Sequence, residues 1–96
     1  MKEINTERLL VGGITAMGGR CLKLKFPGVA GAPDRLVLLP GGRMYFVELK
    51  SASGRLEPSQ EVLFPKLDAL GFPVRVLYGH DDVRNFLAEL RYNRIF

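Results

Sequence analysis

Apolar and polar positions along this 96-residue chain change period several times, and each change marks an element. Leu10, Val11, Ile14 and Met17 recur at three- and four-residue spacing, which predicts a helix over residues 5–17 with one apolar stripe. Asn5 or Thr6 supplies its cap. Gly12 and Gly13 each cost that helix roughly 1 kcal/mol relative to alanine, so close packing against a sheet is the expected reason for them. Gly18 and Gly19 end it. From Arg20 to Phe26 the period drops to two: Leu22, Leu24 and Phe26 share one face, Lys23 and Lys25 the other, as in a strand with one polar face. Residues 27–33 form a loop of small side chains.

Arg35 to Val47 reads as strand, turn and strand, turned by Pro40, Gly41 and Gly42. Residues 51–57 make a short loop. Pro58 suits the first turn of a helix that runs to about Leu70 and stops at Gly71, with Val62, Phe64, Leu67 and Leu70 as its apolar positions. Pro65 falls inside it and predicts a kink or a shortened first half. Phe72 to Tyr78 forms a further strand, and Asp81 or Asp82 caps a last helix to about Leu90. His80 helps cap that helix, and the tail after Leu90 fits no single pattern. The order is helix, three strands, helix, strand, helix. A helical crossing between the third and fourth strands implies that they pair in parallel, so the expected sheet is mixed.

Length and composition bound what this arrangement can be. One α/β domain over residues 1–96 is expected, near the minimum size for a core of this kind. No apolar run approaches the roughly 18 residues of a membrane span, and the first residues carry no apolar leader, so a cytoplasmic protein is expected. The single Cys21 excludes an intrachain disulfide and reads as a core residue; the single His80 excludes a multi-histidine metal site. Nine Arg and five Lys give a net charge of +4, which suits a polyanionic partner. Arg20, Lys23 and Lys25 lie on one stretch; Arg35, Arg43, Lys50 and Arg55 surround the hairpin; Arg84, Arg91 and Arg94 sit near the C-terminus. Tyr45, Phe46 and Tyr78 read as core.

The hairpin carries the chemistry. Asp34 stands at the start of its first strand and Glu48 near the end of its second, so antiparallel pairing brings the two acids together. Glu48 and Lys50 are two apart and project to one face; Tyr45, Val47 and Leu49 project to the other. Two carboxylates with the carbonyl of Leu49 in reach are an oxygen-donor set for Mg²⁺ or Mn²⁺. An adjacent ammonium positions or deprotonates a water and offsets negative charge. Metal-dependent hydrolysis of a phosphodiester needs such groups. The small residues before Asp34 would let a DNA backbone approach it.

Four blocks in order extend this motif: Gly31, Ala32, Pro33 and Asp34; Phe46 to Lys50; Gly54 to Gln60; and Gly71 to Val76. Through them the chain resembles the stand-alone phage and bacterial VRR-NUC domains of the PD-(D/E)XK nuclease superfamily, over about residues 5–90. The resemblance implies an αβββαβ restriction-endonuclease-like core with a C-terminal helix. It implies Asp34 and Glu48 as metal ligands, Lys50 as the catalytic lysine, an acid on the first helix and the glutamine after the proline, Gln60. Glu7 is the expected helix acid, since the apolar stripe carries it toward the sheet, and Glu3 the substitute. Arg35, Arg55, Lys23 and Lys25 are the expected nucleic-acid contacts. The family also implies a Mg²⁺- or Mn²⁺-dependent endonuclease acting on branched DNA such as four-way junctions, as a homodimer. A DNA-binding module that keeps the fold without catalysis, working beside a helicase, is the rival; an RNA-directed nuclease is a second.

Overall fold

The computed structural model describes residues 5–95, without the side chains of the last two of these. The expected Glu3 therefore lies outside the described residues, as does the side chain of Arg94. The elements are α1 (Thr6–Ala16), β1 (Arg20–Lys23), β2 (Arg35–Leu39), β3 (Arg43–Lys50), α2 (Pro58–Ala69), β4 (Val74–Tyr78) and α3 (Gly79–Ile95). The strands lie in the order β1-β2-β3-β4. β1 and β2 pair antiparallel, as do β2 and β3, whereas β3 and β4 run parallel. The mixed sheet is the one the element order predicts, because α2 carries the chain back across a face between two strands that must then run alike.

α1 and α3 cover one face of the sheet. Leu10, Ile14 and Met17 of α1, Val83, Phe86, Leu87 and Leu90 of α3, and Val37, Leu39, Val47 and Leu77 from the strands form one apolar core. Asn5 caps α1 through its side chain, which accepts from the backbone N of Arg8. Gly13 is explained by a helix and not by the sheet: a Cβ there would lie 2.5 Å from a methyl of Leu87, so α1 and α3 touch at this point. Tyr45 meets the ring of Phe86 edge-on at 5.5 Å, and Phe46 meets Phe26 at 6.1 Å. Arg75 of β4 lies over Phe86 and donates two 2.8 Å bonds to Glu89 of α3.

Several expected details come out differently. β1 ends at Lys23, and its packed residue is Cys21; Leu22 is exposed, because the face it occupies has no helix above β1. Val62 and Leu70 are exposed on α2, where only Gln60 and Phe64 are buried. Pro65 does not interrupt α2, which runs unbroken to Ala69. α3 begins at Gly79, earlier than expected, and extends to Ile95. Asp82 does serve its start, accepting from the backbone N of Tyr78 at 2.8 Å.

Candidate active site

Gly41 and Gly42 have φ of +85° and +78°, the left-handed pair that a tight hairpin between β2 and β3 requires. That turn fixes the register, Arg35 opposite Val47 and Leu39 opposite Arg43. Asp34 then sits one step before β2, beside Glu48. Each acid is latched to backbone across the hairpin, Glu48 to that of Asp34 and Asp34 to that of Leu49. The Asp34 amide donates to Glu48 Oε1 at 3.1 Å, and the Leu49 amide donates to Asp34 Oδ2 at 2.9 Å. Lys50, two residues along the same face, places Nζ 3.2 Å from Glu48 Oε2.

Burial divides the roles. Glu48 is 2 % exposed, at the floor of the site, whereas Asp34 is exposed at its mouth. The Lys50 side chain is mostly covered. In an extended strand a residue's N–H and C=O point to the same side. The Leu49 amide points at Asp34, so its carbonyl faces that side too.

α2 closes the site from above. Gly31 has φ +94°, and a Cβ there would lie 2.6 Å from the Ser59 carbonyl oxygen. This glycine lets the loop before Asp34 lie directly on the first turn of α2, which carries Gln60. At Gly31 the backbone that comes close is that of Ser59. Gln60 is buried, and its Oε1 accepts from the Glu57 amide at 2.9 Å, fixing the start of the helix. That bond uses only the acceptor end of the amide.

Two expected residues stand elsewhere. Arg35 is buried and does not present a charge to solvent: it donates to the Cys21 carbonyl at 3.1 Å and pairs with Glu7 at 3.1 Å. Its alternation with Val37 and Leu39 turns it to the α1 face, away from Glu48. Glu7 is drawn to that guanidinium and does not join Asp34 and Glu48. Among the described residues no three acidic, histidine or cysteine side chains gather where they could hold a metal ion. Arg55, Lys23 and Lys25 are exposed, as a contact to a phosphate backbone requires. Neither the anchoring function of Arg35 nor that of Gly31 shows in the sequence pattern. The inward parity of Arg35 was there to be read, but its charge made it look like a surface residue.

The donor set fits a hard divalent cation. It consists of two carboxylates and a carbonyl, all oxygen, with the exposed Asp34 beside the buried Glu48; such ions take one or two carboxylates and fill the remaining positions with water and phosphate. Cys21 stands on β1 opposite Val37, half-buried, where burial pushes its thiol above the usual range against the pull of the Arg35 guanidinium.

A mixed four-stranded sheet between helices, with an acid latched to a Glu-x-Lys strand across a hairpin, defines a PD-(D/E)XK nuclease fold. A solved structure described as a VRR_NUC domain superposes on it with a TM-score of 0.81 and 30 % identity, over 86 % of this chain and 90 % of that one. The protein named "Putative nuclease p44", from Acyrthosiphon pisum secondary endosymbiont phage 1, is 40 % identical over 81 residues, 84 % of this chain and 87 % of the relative. No family model matches the chain. The chain belongs to the VRR-NUC family.

Proposed function

We propose that this chain is a metal-dependent DNA endonuclease that hydrolyses phosphodiester bonds in branched DNA, such as four-way junctions, in phage or bacterial replication, repair or recombination. The observation that carries the reading is the pair of bonds that latch Glu48 to the Asp34 amide and Asp34 to the Leu49 amide, with Lys50 against Glu48. Such a latch has little to add to a surface hairpin, and it costs the burial of a carboxylate.

Asp34, Glu48 and the Leu49 carbonyl would hold Mg²⁺ or Mn²⁺, whose chemistry there would be polarisation of the phosphate and a lowered pKa for a bound water. Lys50 orients that water and offsets the negative charge growing on the phosphate. Gln60 stands in the first turn of the helix that closes the site, where its Nε2 would donate to a phosphate oxygen. Arg55, Lys23 and Lys25 hold the flanking phosphates, which makes binding salt-dependent. One chain offers one such site, so paired cuts across a junction call for a homodimer whose two-fold axis matches that of the DNA.

The test compares wild type with Asp34→Ala on end-labelled duplex, single-stranded, flap and four-way-junction DNA, each with Mg²⁺, Mn²⁺ or EDTA. Metal-dependent cutting that falls on the order of a thousandfold in the variant is expected, because the exposed ligand is lost while the core stays intact. Binding without cutting under every metal would replace this reading with that of a DNA-binding module.

A further inference from the structure

The sequence pattern puts Tyr78 in the core, and the structure puts it beside Lys50. β3 and β4 run parallel, with Glu48 opposite Val76 and Lys50 opposite Tyr78. Residues paired in register leave neighbouring strands on the same face, about 5 Å apart. Parity along β4 agrees. Leu77 belongs to the core with α1 and α3, whereas Val74 and Val76 line the cleft under α2. Tyr78 therefore shares the face of Glu48 and Lys50, and unlike Tyr45 it does not pack against the core.

Its place is held from two sides. The Tyr78 amide donates to Asp82 Oδ2 at 2.8 Å, which ties the end of β4 to the first turn of α3. Gly79 follows with φ +76°, and a Cβ there would lie 3.2 Å from that of Ala52. The turn out of β4 thus rests on the loop that leaves Lys50, and the two strand ends stay together past their ladder. The ring of Tyr78 is partly buried. Its hydroxyl bonds to no group among the described residues, nor is it one of the buried polar atoms left without a partner, so it opens to solvent. A buried tyrosine usually finds a partner for its O–H. Here phenylalanine would fill the same space, and the hydroxyl is left over for a ligand.

We propose that Tyr78 contacts the substrate of the nuclease site: its hydroxyl donates a hydrogen bond to a non-bridging oxygen of the phosphate that Lys50 faces. The inference rests on the nuclease reading for the identity of that phosphate. The residue type suits the position. A second cation here would repel Lys50 and compete for Glu48, whose Oε2 lies 3.2 Å from Lys50 Nζ. A phenol adds a directed donor and no charge. Hydrogen bonds to a charged acceptor such as a phosphate oxygen are among the stronger ones.

Tyr78→Phe keeps the ring and removes the donor. The variant is expected to melt with wild type and to cut four-way-junction DNA with Mg²⁺ about 10–100-fold more slowly under single-turnover conditions. Contact is read separately. The chain has three tyrosines, so protein labelled with fluorotyrosine gives three fluorine resonances, and the one missing from Tyr78→Phe is that of Tyr78. Adding the junction with Ca²⁺, read before any strand is cut, is expected to move that resonance and to leave that of Tyr45, packed edge-on against Phe86, in place. Cutting by the variant at the wild-type rate, or a Tyr78 resonance that the junction does not move, would overturn the proposal whatever the stability of the variant. A wild type that cuts no DNA while its Tyr78 resonance still moves would end the nuclease reading and keep Tyr78 as a phosphate contact.

Discussion

Glu48 and Lys50 show at the residue scale how a site strains the stability of its fold. Their side chains are 3 % and 15 % exposed and lie 3.2 Å apart. Removing one member of a buried pair leaves the other uncompensated, at a cost of about 3–5 kcal/mol, whereas replacing both by uncharged groups is close to neutral. Lys50→Met is expected to lower stability to urea by an amount near that range, and Glu48→Gln with Lys50→Met to recover most of it; a double-mutant cycle in urea reads the difference. The three motif residues were legible in the sequence because strand parity and a two-glycine turn fix which side chains meet. The Glu7–Arg35 pair was not, because it joins α1 to β2 and depends on how the helix settles on the sheet. Cys21 was read as core and is half-buried against it, its thiol raised by that burial. Slow alkylation of the native protein at neutral pH, compared with the denatured chain, is the expected result.

Among the elements, the contact between the loop at Gly31 and the start of α2 controls the geometry of the site. Gly31→Ala demands a left-handed φ of a residue with a Cβ and drives that Cβ toward the Ser59 carbonyl. Destabilisation of about 1–3 kcal/mol is expected. Cutting should fall further than the lost stability explains, because Asp34 and Gln60 move apart; single-turnover rates measured well below the melting temperature separate the two effects. Element types and order were readable from period alone. Their outlines were less so. β1 is shorter than its alternation suggests, since beyond Lys23 the chain leaves the ladder, and the exposure of Val62 and Leu70 follows from a helix that meets the sheet along a narrow line. Pro65 sits in α2 with no break at all, its ring on an exposed side of the helix.

For the molecule as a whole, pH acts through the tie between β4 and α3. Arg75 holds the Glu89 carboxyl below its ordinary value of 4.5, chiefly through their side-chain hydrogen bonds. A depressed carboxyl stabilises the fold above that ordinary value, and the contribution is lost as pH falls through the folded value. Glu89→Gln is therefore expected to be less stable than wild type at neutral pH and to converge with it in acid, as thermal melts across pH 7 to 3 would show. The topology itself was legible, parallel closure included, because a helix between two strands leaves few ways to return. What period could not show was that one face would be left half bare.

The latch between Asp34 and Glu48 spans only 14 residues of chain and needs nothing but the β2–β3 hairpin to form. Short loops close at little entropic cost, and contacts between near neighbours tend to be made first. The parallel joining of β4 to β3 must wait for α2 to cross. Both acids are thus brought together by a hairpin whose strands are joined through residues 40–42 alone, ahead of the helix that roofs them. A chain paused halfway through folding would already hold its carboxylates in place while Gln60 was still far from them.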